Sequence, residues 1–201
     1  MIVIVDYGMG NLRSVSKAFE KEGARAVVSD EPKVIEKATK IVLPGVGAFP
    51  SAVKELKARK LFSPIAEKIK SGTPYLGICL GMQLLFSVSY EGEKTKGFEI
   101  VEGEVLKFKP GLKIPHMGWN ALHLKKKNCP ILKGIKEGER FYFVHSYYGK
   151  PKDASWTLAT TDYGTKFAAA LWKDNIFATQ FHPEKSQGSG LRIIKNFINY
   201  K

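Results

Sequence analysis

The chain is poor in cysteine. Only Cys79 and Cys129 occur among its 201 residues, far apart and in unlike surroundings. That pattern excludes a disulfide framework, and without a CxxC pair or closely spaced histidines no metal site is expected. No apolar run approaches the roughly 18 uncharged residues that a membrane-spanning helix needs. The opening MIVIVDYGMG lacks a basic stretch and meets an aspartate at position 6, so a buried first strand is expected rather than a signal peptide. Repeats, low-complexity segments and linker-like stretches are also missing, so residues 1–201 are expected to form one domain. These absences predict a chain of the reducing cytoplasm. Glutamine is scarce too, at three residues, against abundant lysine and glutamate, a composition that leans toward heat adaptation.

What the chain has in excess is positive charge, a formal +13. Its lysines are spread out, and the densest run, Lys125 to Lys127, carries no interleaved aromatics. Solvated faces, or a complement to an acidic partner, explain that spread better than a nucleic-acid groove. A binding or scaffold module remains the non-enzymatic alternative, and steeply salt-dependent oligonucleotide binding would mark it.

Hydrophobic residues make up 44% of the chain, enough for a sizeable core. In the first half, four apolar runs are each followed by glycine, proline or a helix signal, the rhythm of a βα repeat. Ile2 to Val5 leads to Gly8-Met9-Gly10-Asn11, and Asn11 is a plausible N-cap for an amphipathic helix over Leu12 to Glu22. Ala26 to Val28 and Lys40 to Leu43 follow as strands, the latter stopped by Pro44-Gly45-Val46-Gly47. A long helical region broken near Ser63-Pro64 comes next. Pro74 to Ile78 is the fourth strand, and a new helix is predicted from Leu80 through Phe86. Continuous apolar strands suit a parallel sheet covered on both faces. The second half alternates instead, over Phe98 to Phe108, Arg140 to Tyr148, Trp156 to Thr161 and Phe167 to Phe181, which predicts antiparallel hairpins added to the sheet. An amphipathic helix over Gly190 to Tyr200 ends the pattern. The expected fold is α/β: an open, mostly parallel sheet with helices on both faces and added antiparallel hairpins.

One short stretch carries chemistry. Gly77-Ile78-Cys79-Leu80-Gly81 has the form glycine, any residue, nucleophile, any residue, glycine, at a strand-to-helix turn. Such an elbow presents its central side chain at the carboxyl edge of the sheet, where open α/β folds bind ligands. The following helix N-terminus favours thiolate, and the Leu80 N–H can face an oxyanion. A cysteine nucleophile needs a base. His182 lies just past a strand, Pro183 holds it extended, and Glu184, two residues on, can accept its Nδ1–H as in a triad. His145, in Phe141 to Tyr147, is the rival base, although its context suits a pocket wall, and His123 reads as surface. A second oxyanion donor is expected from Gly45, Val46 and Gly47, whose loop ends a neighbouring strand.

GICLGMQ at 77–83 with FHPEKS at 181–186 resembles the class I (triad) glutamine amidotransferases. DYGMGNLRSV at 6–15 and PHMGWN at 115–120 resemble, more narrowly, the glutaminase subunits of imidazole glycerol phosphate synthases of histidine biosynthesis. The four motifs stand in the family's order over nearly the whole chain. The resemblance implies a flavodoxin-like sheet and a Cys79–His182–Glu184 triad that hydrolyses glutamine through a thioester, without metal or cofactor. It also implies glutamine contacts at Gln83, Val144, His145, Ser146 and Tyr147, and by register at Glu91, whose preceding Ser87-Val88-Ser89-Tyr90 is less acidic than the family pattern. Gln83 stands one helical turn from Cys79, so i,i+4 geometry puts both on one face. The implied partner is a (β/α)8-barrel cyclase that receives the ammonia and makes imidazole glycerol phosphate and aminoimidazole carboxamide ribotide. Asn11, Met117, Trp119 and Lys185 would lie at or near the docking face.

Two other enzymatic readings compete. Gly8-Met9-Gly10 with Asp30 as a distant ribose ligand resembles a dinucleotide fingerprint, but Arg13 stands where the third glycine belongs. Another triad amidotransferase, serving a different synthase, is the second.

Overall fold

The computed structural model describes all 201 residues. Strand β1 (Ile2–Val5) leads through helix α1 (Leu12–Lys21) to β2 (Ala26–Ser29), and α2 (Pro32–Glu36) leads to β3 (Lys40–Gly45). Helices α3 (Phe49–Ala58) and α4 (Phe62–Lys70) precede β4 (Tyr75–Cys79), which ends in the single turn α5 (Leu80–Gln83). The second half is mostly strand. It runs through β5 (Phe86–Ser89), β6 (Thr95–Lys96), β7 (Val101–Lys107), β8 (His116–Ala121), β9 (His123–Leu124) and β10 (Arg140–His145). β11 (Tyr147–Pro151), β12 (Thr157–Asp162), β13 (Lys166–Lys173) and β14 (Ile176–Thr179) follow, and helix α6 (Gln187–Asn199) closes the fold.

The main sheet has eight strands in the order β2-β1-β3-β4-β14-β13-β12-β9. Its first five strands pair in parallel, and the remaining pairings are antiparallel. Successive residues of a strand face opposite sides, and the core divides accordingly. Val3, Val5, Ile41 and Leu43 pack with α2, α3 and α4 in one cluster. Ile4, Val42 and Leu76 pack with α1 and α6 in another. Every fully buried Phe or Ile in those layers contributes about 1.5–3 kcal/mol.

The open α/β sheet with helices on both faces is as the sequence predicts, and four local features differ. The helical break falls at Lys60, with a left-handed φ of 57°, rather than at Ser63-Pro64. Pro64 sits in the first turn of α4, where its missing N–H costs no helical bond. Strand β3 continues through Pro44 to Gly45. The helix expected over Leu80 to Phe86 is one turn only. Leu80, Met82, Leu84, Leu85 and Phe86 are all buried, which leaves no polar face for a longer helix. The carbonyls that would extend it are taken by other donors: Phe98 N–H bonds Leu84 O at 2.7 Å, and Ile100 and Val101 bond Leu85 O. Finally, only β12 to β14 join the main sheet as hairpins, apart from short β9. The strands β11-β7-β5-β6 and β10-β8 form two smaller sheets.

Close backbone approaches hold the elbow. A Cβ on Gly81 would lie 1.8 Å from Leu43 O, and one on Gly77 would lie 2.6 Å from Gly81 O. Gly81→Ala is therefore expected to cost about 2–3 kcal/mol by overpacking, seen as a Tm lower by about 4–12 °C for a chain of this size. Gly188→Ala, whose Cβ meets nothing within 4 Å, should stay within about 0.5 kcal/mol. Thermal unfolding of the two variants checks the contrast.

Candidate active site

Cys79 ends β4 with φ 54° and ψ −103°, a conformation that L residues rarely adopt. Strain of this kind costs about 1–3 kcal/mol and persists only where the surroundings enforce it. Here Gly77 and Gly81 allow the tight turn, and the Tyr75 hydroxyl donates to Gly81 O at 2.7 Å. The cysteine is 6% exposed and opens onto a cleft of about 340 Å³. That volume lies within the roughly 300–1,000 Å³ range of small-molecule sites.

The base and acid come from the next strand over. β14 pairs with β4, and the chain leaving it places His182 and Glu184 behind the cysteine. Pro183–Lys185 forms a 3-10 turn rather than the extended segment expected, and His182 itself is extended. The pair nevertheless meets: His182 Nδ1 donates to Glu184 Oε1 at 2.8 Å, and both side chains are buried. Burial works against a charged imidazole, but the adjacent Cys79 sulfur and then Glu184 outweigh it and raise His182 to about 10. At neutral pH the ring therefore keeps its proton beside the sulfur. His182 Nε2 is buried without a hydrogen-bond partner of normal geometry. The ring's contribution to stability is complete below the exposed value of 6.5 and is lost as pH rises through the folded value.

The cleft wall gathers most of the remaining predicted residues. Val46, Gly47, Leu80, Gln83, Glu91 and the stretch Val144 to Tyr147 all line it. Leu80 begins the α5 turn, where backbone N–H groups lack intrahelical partners. Gly47 takes φ 95° beside exposed Val46. Gly45 does not line the cleft. It pairs with Cys79 across the sheet and packs behind it, where a Cβ would fall 2.2 Å from the Tyr7 hydroxyl. Glu91 accepts the Phe49 N–H at 2.8 Å, which anchors it at the start of α3. Gln83 donates to Tyr147 O at 2.8 Å, bracing the wall from inside.

His145 is not placed to act as the base. Its Nδ1 donates to Tyr147 O at 2.8 Å, and its Nε2 lies 3.1 Å from His116 Nδ1. The carbonyl fixes the tautomers along this chain, so His116 donates to His145. Burial lowers both, His145 to about 3 and His116 to about 4, and they stay neutral. His123 is exposed and paired with Glu137.

Three features escaped the sequence reading. Gln180, two residues before His182, is fully buried and points Nε2 at the Cys79 sulfur at 3.5 Å. Its place in an apolar run gave no sign of this. Pro115, at the head of the PHMGWN stretch, also lines the cleft. In DYGMGN, Gly8 faces Arg59, while Gly10 and Met9 pack against the Pro44–Gly47 segment. A Cβ on Gly10 would touch Gly45 and Pro44, and Met9 packs where a Cβ on Gly47 would lie. Asp30, the ribose ligand of the dinucleotide reading, instead pairs with Arg59 at 3.3 Å. No group of three or more His, Cys, Asp or Glu side chains could hold a metal ion.

Outside the cleft, β8 carries Met117 and Trp119 on one face, 62% and 42% exposed. Trp119 packs edge-on against Tyr142. The Tyr142 backbone accepts the His182 N–H at 2.9 Å and donates to Ser186 Oγ. Asn11 caps α1 and is exposed, as is Lys185.

A nucleophile elbow, a buried His–Glu pair and a glycine loop on adjacent strands define a class. The glutamine amidotransferase class-I family model matches residues 3–200, and the chain belongs to that family. Within it the chain stands among the HisH subunits of imidazole glycerol phosphate synthase. It is 55% identical over 205 residues to that subunit of Syntrophotalea carbinolica, covering 98% of each chain. It is 53% identical over 196 residues to that of Aquifex aeolicus, covering 97% of this chain and 94% of that one. The fold is shared with PurLQS from Thermotoga maritima (TM-score 0.76, 20% identity, 99% and 97% covered). A putative GMP synthase component from Thermoplasma acidophilum is similar (TM-score 0.72, 20% identity, 98% and 91% covered).

Replacing Cys79 by serine removes the sulfur that helps to raise His182, so the imidazole pKa should fall. Glu184→Gln should shift it in the same direction and cut kcat by roughly 10²–10⁴-fold. NMR titration of the His182 ring checks the sign. A value unmoved by Cys79→Ser would contradict the coupling of His182 to the sulfur.

Proposed function

We propose that this chain is the glutaminase subunit of an imidazole glycerol phosphate synthase, with Cys79, His182 and Glu184 as its triad. The observation that carries the reading is a strained Cys79 beside the 2.8 Å His182–Glu184 pair, at the edge of a cleft fitted for an amino acid. The Cys79 thiolate attacks the side-chain carboxamide carbon of glutamine, and the carbonyl oxygen becomes an oxyanion. Leu80 N–H and the Val46-Gly47 loop stabilise it, each donor worth roughly 10²–10³-fold. His182 gives its proton to the departing nitrogen as the C–N bond breaks, leaving ammonia and a γ-glutamyl thioester. Water, losing a proton to His182, attacks the thioester. The C–S bond breaks to release glutamate and restore the thiolate. Gln83, Glu91 and Val144 to Tyr147 seat the amino-acid end of the substrate.

The ammonia passes to a (β/α)8-barrel cyclase that makes imidazole glycerol phosphate and aminoimidazole carboxamide ribotide. Met117 and Trp119, with Asn11 and Lys185, form the docking face. An exposed tryptophan backed by a tyrosine suits an interface anchor. Residues 1–201 act as one amidotransferase domain, supported by the 3–200 family match and by both core clusters packing on the same sheet. A cytoplasmic setting agrees with two free cysteines and with the lack of any helix long and apolar enough to cross a membrane.

Glutamine hydrolysis is expected to be slow alone and to rise sharply with the cyclase and its ligand. Cys79→Ala should lose at least about 10⁴-fold in rate while still binding the cyclase. Equal hydrolysis by wild type and Cys79→Ala sinks the mechanism, and equal rates with and without the cyclase sink the coupling. Trp119→Ala should weaken the complex by about 2 kcal/mol, some 30-fold in Kd, measured by titration calorimetry.

A further inference from the structure

The α5 turn has only four residues, so it supplies little of the macrodipole that a full helix would aim at the sulfur. Another donor lies closer. Gln180 is fully buried, with Nε2 3.5 Å from Cys79 Sγ and Oε1 3.1 Å from Gln83 Nε2.

The hydrogen-bond network fixes which way each amide points. Tyr147 O can only accept, so the Gln83 group 2.8 Å from it is the NH₂. With one N–H on Tyr147, Gln83 has its second for Gln180, whose oxygen must face it. The Gln180 nitrogen is thereby turned to the sulfur. The reverse orientation would set nitrogen against nitrogen and oxygen against thiolate. The Gln180 backbone is pinned as well, with its N–H on Ala169 O at 2.9 Å and, two residues on, His182 N–H on Tyr142 O.

We propose that Gln180 is a positioning residue for the nucleophile: its amide N–H holds the Cys79 thiolate in place, and Gln83 ties that amide to the wall that seats the substrate. The chain Tyr147–Gln83–Gln180–Cys79 is contiguous, and Tyr147 lines the cleft. A shift of the wall when an amino acid enters is therefore passed to the donor on the sulfur. A charge-assisted bond of this kind favours thiolate over thiol, as a neutral amide far from the sulfur would not. The inference rests on the reading of Cys79 as nucleophile.

The test follows Cys79 alkylation by iodoacetamide against pH, located by mass spectrometry. This readout needs neither glutamine nor the cyclase. Cys129 is buried, and burial pushes its thiol up to about 12, which keeps it out of the measurement. In Gln180→Met the midpoint should rise by about one pH unit, or roughly tenfold less thiolate at a given lower pH, with kcat reduced more than KM changes. A folded variant whose profile overlays wild type overturns the proposal. Should Gln180→Met fail to fold, the wild type decides. Selective ¹⁵N labelling of its three glutamines should show the Gln180 side-chain amide shifting with the Cys79 midpoint, and a signal flat across it overturns the proposal. A wild type that titrates in this way yet never hydrolyses glutamine with the cyclase refutes the assigned reaction and not the role of Gln180.

Discussion

The active-site architecture depends on one close contact, the passage of Gly81 over the Leu43 carbonyl at the end of β3. No residue with a Cβ fits there, since that atom would fall 1.8 Å from the oxygen. Because the turn can sit so low, Cys79 is driven into a left-handed conformation, and its sulfur stands at the sheet edge instead of in the core. β3 continues to Gly45 beside Cys79, so the same approach brings the Val46–Gly47 loop alongside the cysteine. β14 on the other side of β4 delivers His182. Three adjacent strands thus supply nucleophile, loop and base, and their spacing follows from sheet geometry.

Much of this was legible in the sequence because it is local. An elbow needs glycines two residues either side of its nucleophile, and Gly77 and Gly81 are there to be read. The His182–Glu184 pair was legible for the same reason, since two residues and a proline confine where the side chains can go. The predicted backbone was wrong, a 3-10 turn replacing an extended segment, yet the pairing was right because either conformation brings Nδ1 within reach of the carboxylate.

What was not legible depends on distant segments. The extent of α5 is set by Phe98, Ile100 and Val101, which take the Leu84 and Leu85 carbonyls, and apolar periodicity over 80–86 carries no trace of them. Gln180 looked like an ordinary strand residue because its partners, Gln83 and Cys79, lie 97 and 101 positions away. The destination of the second-half strands was lost similarly. Alternation shows that Arg140 to His145 is a strand but not that it pairs with β8 outside the main sheet. His145 illustrates the converse, for a histidine beside a cleft resembles a base until its Nδ1 is found spent on Tyr147 O.

The site is also unevenly supported, in a way that bears on control. The His182–Glu184 pair is finished: it is buried, joined at 2.8 Å, and His182 is raised by the adjacent Cys79 sulfur and by Glu184. The opposite side is looser, with Val46 and Gly47 exposed on a loop packed against Met9 and Gly10. Tyr7 lies buried beneath it with an unpartnered hydroxyl. The residues proposed for docking touch elements on both sides of the site. Trp119 leans on Tyr142, whose backbone holds His182, while Asn11 caps the helix that follows the Met9–Gly10 brace. The face proposed for docking thus connects through Tyr142 to the buried His182–Glu184 pair, and through the segment before α1 to the exposed Val46–Gly47 loop.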